Sequence, residues 1–209
     1  MLIVGAKGFA KELLEIILQG NFGAEIIFYD DISEDLPKLL FDKYPILRNE
    51  DEAKFYLETS DERFALGVGN PNMRYRLCEK FIALGGKLTT IISPFAKIGK
   101  YKNFIQEGSN ILTNVVIESN NTIGKGCLIH VGSLISHDVV IGDFCEISPH
   151  SNLLGNVVIG KLCSIGTGSI ILPKVKIGDN VTVAAGAVVT KDVMDNMTVL
   201  GIPAKPLLK

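Results

Sequence analysis

The chain has 209 residues, 47% of them hydrophobic, and its 21 basic and 23 acidic side chains leave a formal net charge of -2. That length holds one large or two small domains with an ample core, and the charge offers no basic footprint for nucleic acid. No apolar run approaches the roughly 18 residues of a membrane span, and Met1-Leu2-Ile3-Val4 is interrupted at once by Gly5 and Lys7, so neither a membrane anchor nor a signal peptide is expected and a cytoplasmic protein is the default.

Leu2 to Val4 reads as a buried strand, followed by the glycine turn Gly5-Ala6-Lys7-Gly8-Phe9-Ala10 and a helical pattern through Leu13, Leu14, Ile17 and Leu18. Ile26 to Phe28 makes a second strand that runs into Asp30-Asp31, about where nucleotide-binding folds place a ribose-binding acid. The glycine spacing departs from G-x-G-x-x-G, so ordinary dinucleotide binding is not supported. A helix is predicted over residues 51–57 and a third buried strand over Phe64 to Gly69. Asn70-Pro71 suits an N-cap and first helical position, opening a helix through Arg74, Leu77, Phe81 and Leu84 that stops at Gly85-Gly86. A further strand over Leu88 to Ile92 leads onward. Residues 1–90 therefore predict a small parallel α/β, Rossmann-like domain whose ligand sits at the carboxyl ends of its strands, at Gly5 to Phe9, Asp30-Asp31 and Gly69-Asn70.

From Ile105 to Val189 every sixth residue is a branched aliphatic, and two residues before it stands a residue of modest size, such as Ser109, Cys127, Ser133, Cys145, Ser151, Cys163, Ser169 or Ala187. Neither a helix nor a flat strand has this period; stacked repeats do. Three six-residue units close one triangular coil, so residues 18 apart lie about 4.8 Å above one another. Ile92 and Ile98 keep the step, but one extra residue near Phe104 shifts it, which predicts a local bulge. Cys127, Cys145 and Cys163 fall in one column at the small inward position, where reduced thiols pack as small hydrophobes. His130, His137 and His150 occupy three different positions of the frame, and no metal is expected.

The pairs Ile123-Gly124, Ile141-Gly142, Ile159-Gly160, Ile165-Gly166 and Ile177-Gly178 give residues 91–209, including a C-terminal tail, a pattern that resembles the hexapeptide-repeat acyltransferases. The resemblance implies an all-β left-handed parallel β-helix, an exception to the right-handed crossover rule. The segment from Ser136-His137-Asp138 to Asp143-Phe144, then Leu154-Gly155-Asn156 to Ile159-Gly160, together with the glycine turn and Asp-Asp pair of the first half, resembles the bacterial sugar-modifying members. Closest are those that N-acetylate a UDP-linked 4-amino-6-deoxy sugar of the bacillosamine type, with sialic acid O-acetyltransferases as relatives.

Spacing alone leaves His137 balanced between a surface histidine and a site residue. The resemblance implies that His137 is the general base, that Asp138 orients it where relatives often carry a longer Glu, and that the Gly155 N-H meets the thioester oxyanion. It carries acetyl-CoA contacts onto Glu146, Thr167 and Ala185, and nucleotide-sugar contacts onto Lys7, Gly8, Phe9, Asp30 and Asp31, the acids facing uracil or ribose rather than phosphate. Where relatives commonly carry a second histidine near the acyl group this chain has Glu146, and three readings of it stay open: a polar contact to acetyl-CoA, one to the sugar, or a solvated coil residue. The implied partners are acetyl-CoA, a nucleotide-linked amino sugar and two further copies of the chain, as a homotrimer with active sites between subunits. Three alternatives stay open: O-acetylation of a sialic-acid-like sugar, a GDP- or dTDP-linked acceptor, and a non-catalytic nucleotide-binding scaffold.

Overall fold

The computed structural model describes residues 1–20, 22–23 and 25–207. The first half is built on a six-stranded sheet formed by β1 (Leu2–Val4), β2 (Ile27–Tyr29), β3 (Leu39–Leu40), β4 (Tyr44–Leu47), β5 (Arg63–Leu66) and β6 (Lys87–Leu88), in the order β3-β4-β2-β1-β5-β6. All pairs are parallel except β3 with β4. Three helices complete this half: α1 (Gly8–Gly20), α2 (Glu50–Thr59) and α3 (Pro71–Ala83). α1 buries Leu13, Leu14, Ile16 and Ile17, the stripe that its apolar spacing requires. α3 starts at Pro71, where Asn70 accepts a hydrogen bond from the Met73 N-H at 3.0 Å, as that dipeptide predicts.

The sequence expectations need adjusting at two places. The single strand expected over Leu88 to Ile92 is two, because Lys87–Leu88 joins the α/β sheet while Ile91–Ile92 pairs with Asn110–Ile111. The β3–β4 hairpin was not foreseen: its turn places Phe41 and Asp42 in the left-handed region (φ 51° and 53°), without the glycine or asparagine that marks such turns.

The second half is a three-walled, left-handed parallel β-helix. Its first wall holds two-residue strands starting at Ile91, Asn110, Leu128, Glu146, Ser164 and Thr182, then Thr198–Leu200 and the antiparallel Lys205–Pro206. The second wall holds those starting at Lys97, Val116, Leu134, Asn152, Ile170 and Val188, and the third those at Phe104, Thr122, Val140, Val158 and Lys176. Ile98 pairs with Ile117 but Ile105 pairs with Ile123; the extra residue before Phe104 lengthens the first coil and is absorbed in a turn with Lys102 at φ 53°.

The aliphatic series fills the prism core, where Ile123, Ile129, Ile135, Ile147, Leu153 and Ile165 are fully buried. The small residues upstream turn their polar atoms onto the coil above. Ser109 Oγ donates to Gly124 O at 2.9 Å, and the thiols of Cys127, Cys145 and Cys163 donate to Gly142 O, Gly160 O and Gly178 O at 3.1, 2.9 and 3.0 Å. Burial pushes the Cys127 thiol up to about 12, so it stays a packed, neutral group.

The corners from Lys102 to Gly186 each turn through a residue with positive φ, among them Asn120, Gly126, Gly132, Asp138, Phe144, His150 and Asn156. Asn, Asp and Gly suit that conformation and Phe does not. Phe144 adopts it nonetheless, and its ring lies over Gly126, where a Cβ would clash with Phe144 Cε1. From there it packs edge-on against Tyr75 of α3, with ring centroids 5.4 Å apart. The strained corner thus seats the α/β half on the prism.

Arg74 ties the halves more firmly. Fully buried, it donates to Gly126 O (2.9 Å) and Cys127 O (3.3 Å) of the prism, and to Leu66 O (3.1 Å) and Val68 O (2.8 Å) of the α/β half. Asn110 of the prism adds a bond to Leu66 O at 3.0 Å.

Candidate active site

Asp138 occupies the corner between the second and third walls in the left-handed region, at φ 59°. That backbone turn carries its carboxylate back onto its neighbour, and Oδ2 lies 2.7 Å from His137 Nδ1. The shorter acid therefore reaches. From the coil below, Asn120 Nδ2 donates to Asp138 Oδ1 at 2.5 Å. This donor and then the imidazole hold the Asp138 carboxyl below the usual carboxylate range, so it is ionised at neutral pH and fixes Nδ1 as the protonated ring nitrogen. Nε2 is left as the acceptor.

Gly155 stands one coil above His137, and the Asn156 N-H bonds to His137 O at 3.0 Å. A Cβ at 155 would lie 2.6 Å from His137 Cε1 and 2.7 Å from Nε2. The ring thus rests on the bare backbone, an approach that a side chain would block. Gly155 is buried, and among the described residues its N-H has no acceptor. His137 itself is about half exposed, with 52% of its side chain open to solvent. An imidazole and a free amide donor are adjacent on one edge of the prism.

A second site lies at the carboxyl ends of β1, β2 and β5. There a cavity of about 370 Å³ is lined by Lys7, Gly8, Phe9, Asp30, Asp31 and Gly69, together with Tyr29, Ser33, Val68 and Met73, which sequence reasoning missed. Its position follows from strand order, since β2 and β5 diverge on either side of β1. The acids are already engaged. Asp30 accepts from Ser33 N at 2.9 Å, Ile32 N at 3.2 Å and Ala6 N at 3.3 Å, and so shapes the loop. Asp31 bonds to the Tyr29 hydroxyl (2.7 Å) and Lys80 (3.2 Å). Burial works to raise its pKa, yet these two partners outweigh it and hold the carboxyl low. Asn70 does not line the cavity; it caps α3.

The remaining predicted residues lie elsewhere. Thr167 and Ala185 stack at the corner between the first and second walls, where Gly186 N bonds to Thr167 O at 2.8 Å. Glu146 is on the first wall, beside Gly69 and His130. The His150 ring covers Gly132, whereas His130 is buried against Phe9. Among the described residues no cluster of three or more His, Cys, Asp or Glu could hold a metal, and no helix is long and apolar enough to cross a membrane. Asn120 was also missed, although the 18-residue register places it directly beneath Asp138.

Comparison with known proteins follows the same division. Residues 1–81 match the PglD N-terminal domain family, and residues 156–191 match the bacterial transferase hexapeptide family. The acetyltransferase domain of PglB from Neisseria gonorrhoeae is 32% identical, with a TM-score of 0.87 over 99% of this chain and 98% of that one. A histidine-to-asparagine variant of perosamine N-acetyltransferase from Caulobacter crescentus, in complex with CoA and GDP-perosamine, is 26% identical, with a TM-score of 0.90 over 100% and 96% of the two chains. WeeI from Acinetobacter baumannii is 29% identical, with a TM-score of 0.87 over 99% and 98%. No curated protein sequence matches the chain. The chain belongs to the hexapeptide-repeat sugar N-acetyltransferases that carry a PglD-type N-terminal domain.

Proposed function

We propose that the protein transfers the acetyl group of acetyl-CoA to the amino group of a nucleotide-linked 4-amino-4,6-dideoxy sugar, with a UDP-linked acceptor favoured. The contact of His137 with Asp138 on one side and Gly155 on the other carries this reading. As the acceptor amine attacks the thioester carbonyl, His137 Nε2 takes its proton, and the ionised Asp138 stabilises the resulting imidazolium. The Gly155 N-H donates to the oxygen on which charge develops; one such donor is worth about 3 kcal/mol. Collapse expels the CoA thiolate, which receives the proton back from His137. Thr167 and Ala185, small residues at their corner, let the pantetheine arm lie close to the coils, while the nucleotide occupies the cavity around Gly8, Phe9 and Asp30.

The complete site is composite, formed between subunits of a homotrimer. In one protomer the nucleotide cavity adjoins the first wall, whereas His137 projects from the edge between the second and third. The third wall beside that edge exposes Phe104, Val140 and Val158, with Thr122 between the first two, a largely apolar strip suited to packing against another copy.

Two measurements test this reading. Thermal stabilisation by UDP, GDP, TDP and CMP reports the nucleotide, a ligand at 100 times its Kd adding about 2.7 kcal/mol; selective response to CMP would favour a sialic-acid-type acceptor. Thiol release from acetyl-CoA with UDP-linked amino and hydroxyl sugars separates N- from O-acetylation, and turnover with the hydroxyl sugar alone would overturn the amine as acceptor.

A further inference from the structure

Glu146 is the one ionisable side chain at its position of the first wall, where Asn110, Leu128, Ser164 and Thr182 fill the equivalent sites of other coils. Its side chain is only 22% exposed, yet among the described residues no donor hydrogen-bonds to it. Its nearest partner, His130 Nε2, is 3.5 Å from Oε1, too long for a good bond. His130 is itself nine-tenths buried, at 9% exposure, and its Nδ1 has no partner. A half-buried carboxylate and a buried imidazole with unused bonding capacity mark a place where a ligand supplies the missing group.

The pair adjoins two residues that line the nucleotide cavity. Gly69 lines that cavity, and a Cβ there would meet Glu146 Oε1 at 3.5 Å. Phe9 lines it too and packs edge-on against the His130 ring, with centroids 5.4 Å apart. Glu146 therefore stands at the Gly69 end of the cavity, on the wall that carries the α/β half and away from the His137 edge.

We propose that Glu146 is a specificity residue for the acceptor sugar, its carboxylate accepting a hydrogen bond from a donor on the hexose ring. His130 is the positioning residue that fixes the carboxylate from behind. This rests on the nucleotide-sugar reading above, and among the roles left open for Glu146 by the sequence it selects the sugar over acetyl-CoA.

The test is steady-state kinetics of Glu146→Ala, Glu146→Gln and His130→Phe with acetyl-CoA and a UDP-linked 4-amino sugar, alongside calorimetric binding of UDP alone. The expected result for Glu146→Ala is a rise of about ten-fold or more in KM for the amino sugar, with KM for acetyl-CoA and the UDP affinity unchanged. His130→Phe keeps the packing on Phe9 and shows the same split to a smaller degree. A near-normal Glu146→Gln identifies a ring hydroxyl as the donor, because the amide oxygen still accepts; a Glu146→Gln as impaired as the alanine variant identifies the protonated amine. A rise confined to acetyl-CoA, or no change in either KM, overturns the proposal while leaving the nucleotide reading intact. Failure of the unmodified enzyme to bind UDP or turn over the amino sugar overturns both.

Discussion

The His137 imidazole lies on the backbone of Gly155, so close that a Cβ there would stand 2.6 Å from its Cε1. Gly155→Ala must push the ring off this seat or displace the coil. Because Gly155 has ordinary backbone angles, the fold tolerates the methyl group better than the site does. Expected is a loss of roughly 10- to 100-fold in kcat from misplacing the proposed base, with the melting temperature little changed. Kinetics and a thermal melt of the same preparation check this.

Arg74 is the buried link between the two halves, and burial lowers its guanidinium to about 10, still charged at neutral pH. Arg74→Met removes the donor to Gly126 O, Cys127 O, Leu66 O and Val68 O and leaves some of these carbonyls unpaired inside the seam. A loss of about 3 kcal/mol in chemical denaturation is expected. Arg74→Lys recovers little, since a point ammonium cannot span carbonyls from both halves.

Asp61 gives the fold an acid-sensitive limb. Arg63 grips it through Nε at 2.9 Å and a terminal nitrogen at 2.8 Å, and this guanidinium, against the opposing effect of burial, holds the carboxyl well below the usual carboxylate range. The folded-state value is depressed, so the contribution is fully present above the unfolded value of about 3.9 and is lost as pH falls toward the folded value. Asp61→Asn should cost about 1–2 kcal/mol at pH 7, the lower end reflecting the partial exposure of Arg63. The gap to the unmodified protein should close steadily below pH 4, as denaturation curves at pH 7, 4 and 2.5 would show.

The prism was legible because its period leaves no alternative. Ile105 to Val189 never breaks the six-residue step, and the register that follows places Gly155 above His137 without any coordinates. Asn120 lies 18 residues before Asp138 in that same register, but nothing in the sequence marked it as the donor to the carboxylate. What could not be read was the seam. Arg74 sits in an ordinary helical pattern on α3, and only packing shows that it faces the prism rather than solvent. Glu146 likewise occupies an outward wall position, and only the fold shows that the α/β half covers this stretch of the first wall, burying Asn110 and Leu128 below it and half-burying Glu146 itself. The β3–β4 hairpin was hidden because Phe41 and Asp42 take left-handed angles without the usual residues, held there by strand pairing rather than by local preference.

The central claim is that His137 accepts the proton of an attacking amine. It is tested most directly by thiol release from acetyl-CoA with a UDP-linked 4-amino sugar, comparing the unmodified protein with His137→Ala. The account predicts a loss of at least 100-fold in kcat, with UDP binding and thermal stability retained. Undiminished turnover in that variant would contradict it.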